Sequence, residues 1–299
     1  MVKNFFIIIF VLLITESVNS QVNLLNSTKA IEIGVKSDAQ KVVDNDAPLP
    51  YGYVADRDVL WSTIVWEYID LTQKFNFPYY FPKDASAGKE AVPSNRRSLF
   101  DNLINAIKTK QIKKVYEDSE FEKVLEQKFI DEALKYVYVE KGQDDITYYL
   151  KNEDILGYQI KGMWYFDKRQ GELKYRLLGI APMGPDLPSK YGAQKESLDE
   201  VSTNDGEVEM LPVFWVFYPT ARDVLHKAKV FNPKNASHPI SYDHMLNSRR
   251  FHSVIIKQEN VYGNRAIGDY IKKNSLFQLL ESERIKEEIR NKEIDMWNY

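Results

Sequence analysis

The chain has no cysteine in 299 residues. That excludes a disulfide framework and a lipoprotein anchor, which needs a cysteine at the cleavage site. Long hydrophobic runs are also missing. The single candidate, Phe5 to Ile14, is about ten residues, roughly half of what a bilayer-spanning helix requires. Preceded by Lys3 and followed by Thr15-Glu16-Ser17 and Val18-Asn19-Ser20, it reads as a secretory signal peptide over 1–20, cut before Gln21. The expectation is an exported, soluble protein that meets a membrane only through a partner. There is no excess of either charge: the net value is -3, which disfavours nucleic acid as a partner.

Chemistry-bearing patterns are equally sparse. The four histidines, His226, His238, His244 and His252, match none of the compact zinc spacings. Asp243-His244 could be half of a base-orienter unit, but no serine stands in a nucleophile elbow. Around Asp205-Gly206 the first and last calcium-ligand positions fall on Val201 and Pro212, which excludes an EF-hand. Gly179 to Gly184 is interrupted by Pro182 and does not make a phosphate loop. Paired carboxylates such as Asp144-Asp145 or Glu281 and Glu283 keep a secreted glycan-acting enzyme as an alternative. A soluble periplasmic binding protein is a second alternative, and it requires a deep apolar pocket. No catalytic residue, cofactor or metal site is assigned.

Aromatic residues, by contrast, are abundant at 13%, and such side chains serve both cores and interfaces. Residues 21–50 show no sustained period and read as a flexible leader. From Tyr51 the pattern becomes ordered. Leu60, Ile64, Tyr68 and Leu71 recur at helical spacing and predict a first helix. Asn76 to Pro82, with two prolines, predicts an extended segment. A second helix is expected to carry Leu99, Leu103 and Ile107 on one face; a third starts at Ser119 with a capping box to Glu122 and buries Phe121, Val124, Leu125 and Phe129. Lys108, Lys110, Lys113 and Lys114 form a basic run best read as solvated surface.

The period then changes to that of strands. Ile160–Phe166 and Leu173–Ile180 flank a turn and predict a hairpin; 184–209 is a long loop; Leu211–Tyr218 and Val254–Ile256 predict further strands. Ser275 with Gln278 starts a long terminal helix, with Glu281–Arg284, Glu287–Arg290 and Glu288–Lys292 at ion-pair spacing. Its apolar residues fall on two sides: Leu276, Leu280 and Ile294 opposite Ile285, Ile289 and Met296. Either the helix is wedged within its own chain, or one side meets a neighbouring subunit. The row Ile285, Ile289 and Met296, with Trp297, is the candidate partner interface. Pro82-Lys83-Asp84-Ala85-Ser86 with Arg96-Arg97 resembles Pro233-Lys234-Asn235-Ala236-Ser237 with Arg249-Arg250. Two related half-domains, with a boundary near 140–210, and coincidence both account for this echo.

The fold class read from these periods is α+β, with helices in the first third, a central antiparallel sheet and a C-terminal helix. Six segments, in order, resemble the GldN/PorN family: Val54-Ala55-Asp56-Arg57-Asp58-Val59-Leu60-Trp61, Asn76 to Pro82, Arg97-Ser98-Leu99-Phe100-Asp101, Leu178 to Pro182, Val230 to Asn235, and Leu280 to Trp297. The resemblance runs from about residue 50 to the end, and it does not separate GldN from its paralogue GldO. It implies a non-enzymatic periplasmic subunit of the type IX secretion and gliding machinery. Such a subunit forms a ring with an outer-membrane lipoprotein, GldK or PorK, and contacts the motor subunit GldM or PorM.

Overall fold

In the computed structural model the described residues are 47–82, 97–138, 146–188, 190, 210–230 and 240–297. The expected signal peptide and most of the leader lie outside them, as do most of the expected loop over 184–209 and most of both copies of the internal echo. Gly184 and Pro185, at the expected start of that loop, instead end a strand. Residues Pro50–Tyr299 make one compact unit.

Its centre is β1 (Val59–Asp70), which replaces the helix expected there. The segment Trp61-Ser-Thr-Ile-Val-Trp-Glu-Tyr-Ile69 is dense in β-branched and aromatic residues, which a pleated surface accommodates and a helix disfavours. Because much of the strand is covered on both faces, apolar residues also fall at i, i+4 and imitate a helical stripe. Antiparallel β4 (Gly157–Asp167) and β5 (Glu172–Pro185) form the expected hairpin and lie beside β1. With β10 (Val254–Gln258) and β6 (Met210–Pro212) the order is β10-β1-β4-β5-β6, and β7 (Val216–Phe217) also pairs with β5. The expected strand over 211–218 is thus broken into β6 and β7 and ends where Tyr218 opens a helix. Small two-stranded pairs, β2 (Lys135–Tyr138) with β3 (Ile146–Tyr149) and β8 (Lys229–Val230) with β9 (Ile240–Ser241), complete the strands.

Seven helices accompany the sheet among the described residues. The fold class is α+β, with the helices of the first third only partly as expected. Phe77–Tyr80, expected to be extended, is a short helix, α1; Pro78 sits in its first turn, where no intrahelical N–H is needed. α2 (Leu99–Lys108) buries Leu99, Leu103 and Ile107 as its spacing predicts, and Ser98 caps it by accepting Asp101 N–H at 3.1 Å. Lys108, Lys110, Lys113 and Lys114 around its end are exposed. No helix starts at Ser119. Asp118 instead takes the N–H groups of Glu120 and Glu122 on its carboxylate, at 3.0 and 3.2 Å, and folds a turn in which Phe121 has φ 62°. The following helix, α3, covers Gln127–Leu134, and Val124 and Phe129 are exposed rather than buried.

α4 (Tyr218–Lys227) and α5 (Tyr242–Asn247) join α1 and α2 over one large apolar cluster containing Ile69, Tyr158, Ile160, Leu177 and Ile180. A second cluster holds Val65, Ile255, Ile267 and two residues of the terminal helix α7 (Ser275–Trp297), while α6 (Ile267–Tyr270) leads into that helix. Val65 and Ile69 share a parity on β1, so both clusters lie on one face of the strand. Glu67 lies between them. On the opposite face, Trp66 packs with Ala181 and Trp215 beside Tyr116 and Phe121.

The start of the compact unit is clamped. The Tyr51 ring lies 4.1 Å from the Arg222 guanidinium and 4.7 Å from that of Arg176, and its hydroxyl donates to Asn247 Oδ1 at 2.8 Å. Arg176 and Arg169 donate to the carbonyls of Gly52 and Tyr53. Arg222 in turn pairs with the buried Asp243 at 3.0 Å.

Candidate functional site

The two sides of α7 meet different surroundings. Ser282 is fully buried, and its hydroxyl accepts the N–H of Ile255 at 2.8 Å, which lets a small residue bring the helix close to β10. One and two turns on, Ile285 and Ile289 are 2% and 4% exposed against Val65, Ile255 and Ile267. The row expected to face a partner is therefore packed inside its own chain, because Ser282 and the edge of β10 fix which side of the helix turns inward. Met296 is half-buried, and the side chain of Trp297 lies outside the described residues.

The opposite row is the one left open. Leu276 is 64% exposed, Phe277 57%, Leu280 53% and Ile294 57%. Covering what remains exposed of each would contribute roughly half of the 1.5–3 kcal/mol that full burial of such a side chain is worth, and soluble monomers rarely leave large apolar patches uncovered. Phe277 is absent from the helical rows drawn from sequence, although its place beside Leu276 and Leu280 was visible there.

Next to this row runs a groove of about 570 Å3 lined by Tyr270, Lys272, Phe277, Leu280, Glu281 and Arg284 among others. The helix begins at Asn274 rather than with a Ser275 capping box: Asn274 Oδ1 accepts Phe277 N–H at 3.1 Å. Along the groove wall the Tyr270 hydroxyl donates to Glu281 at 3.2 Å, and Glu281 takes two hydrogen bonds of 2.8 Å from Arg284. Those guanidinium bonds hold the Glu281 carboxyl below its ordinary value. Arg284 also reaches Glu288 at 3.1 Å, so Glu288 turns to Arg284 one turn back. Among the described residues no carboxylate forms an ion pair with Arg265, Lys272 or Lys273 at this corner.

The other residues singled out for chemistry are held by structural contacts. Asp243 accepts Arg222 and the Tyr218 hydroxyl, while His244 donates its backbone N–H to Ser241 at the start of α5. Glu283 pairs with Lys286 at 2.8 Å. Gly179 and Gly184 lie within β5, not in a loop. Asp144, Asp145 and His238 lie outside the described residues. Among those described, no group of three or more His, Cys, Asp or Glu is placed to hold a metal ion, and no helix is long and apolar enough to cross a membrane.

No curated protein matches the chain. The family model of gliding motility associated protein GldN matches residues 54–298. That span covers β1 through α7, so the chain belongs to the GldN family and is a component of the gliding motility and type IX secretion machinery.

Proposed function

We propose that this protein is a non-enzymatic scaffold subunit of that machinery, exported to the periplasm and peripherally associated with the outer membrane. It self-associates in a ring, joins a GldK/PorK-like outer-membrane lipoprotein and contacts a GldM/PorM-like motor subunit. The observation that carries this reading is the uncovered apolar row Leu276, Phe277 and Leu280 beside a basic corner, a surface suited to a protein partner. The engagement of Asp243 and Glu281 in ion pairs, rather than across a cleft, suits a structural role. Without a cysteine, attachment to the membrane runs through the partner.

The test is a pull-down of the tagged protein from membrane extracts, with partners identified by mass. One lipoprotein recovered in near-constant ratio is expected, together with a mature N-terminus at Gln21. Recovery without any lipoprotein, or membrane association that persists in a strain lacking it, overturns the reading. A single histidine or carboxylate substitution that abolishes function but leaves the complex whole would overturn its non-enzymatic part.

A further inference from the structure

The corner between β10 and the first turns of α7 presents apolar and cationic groups on a stiff frame. After β10 the chain turns through Asn260 to Arg265, where Asn264 Oδ1 accepts the Asn260 N–H and Asn260 Oδ1 accepts the Tyr262 N–H, both at 2.9 Å. Gly263 and Asn264, at φ 76° and 56°, complete the turn. It leaves Val261 92% and Tyr262 71% exposed. The Arg265 guanidinium stands 5.5 Å from the Tyr262 ring and 6.0 Å from the Tyr270 ring, which links this turn to the groove beside Phe277 and Leu280. Exposed Tyr, Phe and Arg on a fixed backbone suit an interface, because little ordering remains to oppose binding.

Over residues 259–286 the formal charges nearly balance, five Lys or Arg against four Asp or Glu, but they are not equally engaged. Each carboxylate has a donor: Glu259 takes the Ile64 N–H, Asp269 the Ala266 N–H, Glu281 the Tyr270 hydroxyl and Arg284, and Glu283 the Lys286 ammonium. Arg284 and Lys286 are used in those pairs. Arg265, Lys272 and Lys273 are exposed and, among the described residues, have no carboxylate partner. The groove thus joins apolar Phe277 and Leu280 to an ammonium, Lys272, that lacks an anion.

We propose that this corner docks a short segment of another protein that is both apolar and acidic, with its apolar side chains on Phe277 and Leu280 and a carboxylate on Lys272 or Arg265. The inference rests on the scaffold reading for the existence of a partner and adds the chemistry by which one is recognised. An anionic lipid surface fits less well, because exposed Glu287 and Glu288 on the same helix would repel its headgroups.

The full chain, with a photo-reactive benzoyl-phenylalanine in place of Phe277, is expressed in the cells that make it and irradiated. The same group in place of Lys110, exposed beyond the end of α2, is the control. Crosslinked peptides are identified by mass. The expected product joins position 277 to a segment of one foreign protein with a carboxylate beside the attachment point. Lys272→Glu with Lys273→Glu is expected to keep the native circular dichroism and to lower the yield about tenfold, since it sets like charge against like. Lys272→Gln, a smaller change, is expected to lower it several-fold, and Lys272→Arg to preserve it. Changing the partner's adjacent carboxylates to Lys is expected to restore the yield with the charge-reversed chain. A crosslink to lipid or to a second copy of this chain, no crosslink above the control, or a yield indifferent to these charges overturns the proposal. The lipoprotein pull-down is read separately. Its failure beside a charge-dependent crosslink strikes the scaffold reading alone, whereas its success beside a charge-indifferent crosslink strikes this inference alone.

Discussion

Arg249 places two guanidinium nitrogens on the two carboxylate oxygens of Glu67, at 2.9 and 2.8 Å, across 182 residues of sequence. Arg249 has φ 50°, in the left-handed region that few non-glycine residues occupy. Its guanidinium lies 4.1 Å from the Tyr175 ring, and the Ser253 hydroxyl also donates to Glu67. This pair fills the gap between the two apolar clusters on one face of β1. It joins the sheet centre to the segment between α5 and β10.

Removing one partner strands a buried charge. Arg249→Met is expected to cost about 3–5 kcal/mol in urea unfolding, and Glu67→Gln in the same chain to recover a substantial part of that loss. Equal stability of the single and double variants would show that the pair does not couple.

Gly162 on β4 leaves the space that the Tyr175 ring occupies; a Cβ there would overlap that ring. Gly162→Ala is expected to destabilise by about 1–3 kcal/mol. In a Tyr175→Ala background the same change is expected to cost little, so a double-mutant cycle reads the coupling directly.

Asp167 ends β4, and hydrogen bonds from Arg169 hold its carboxyl below the ordinary 3.8. A group depressed in the folded state contributes stability above its unfolded value and loses it as pH falls through the folded one. The stability gap between the native chain and Asp167→Asn is therefore expected to be constant from neutral pH down to about 4 and to close below it. Denaturant titrations across that range measure the gap, and a gap that widens on acidification would contradict the assignment.

The two sides of α7 are expected to respond in opposite ways. Ile285→Asp with Ile289→Asp puts two charges into the cluster formed with Val65 and Ile255. The loss of two large buried side chains, about 1.5–3 kcal/mol each, combines with charge burial to exceed much of a typical domain's 5–15 kcal/mol. The expected outcome is an unfolded chain by circular dichroism. Preserved ellipticity would show that this row is not interior.

The sequence by itself determined the features governed by neighbours a few residues apart. The hairpin of β4 and β5 follows from alternation on both sides of a polar turn, α2 from its i, i+4 apolar row, and α7 from sustained helical composition and charge spacing. Two apolar rows on α7 were also legible, since they are a matter of helical phase alone. Which row turns inward was decided by the tertiary structure, through the Ser282 hydroxyl on Ile255 and the packing of Ile285 and Ile289 on β1 and β10. The same holds for β1. Its apolar residues satisfied a helical period, and only pairing with β4 and β10 at positions nearly one hundred and two hundred residues away selects the strand. The Ser119 capping box failed likewise, because the Asp118 carboxylate captured the N–H groups that a helix start would have needed. Backbone hydrogen bonds and side-chain burial from distant segments outweigh local preferences of a few tenths of a kcal/mol per residue, and a local reading of the chain does not contain them.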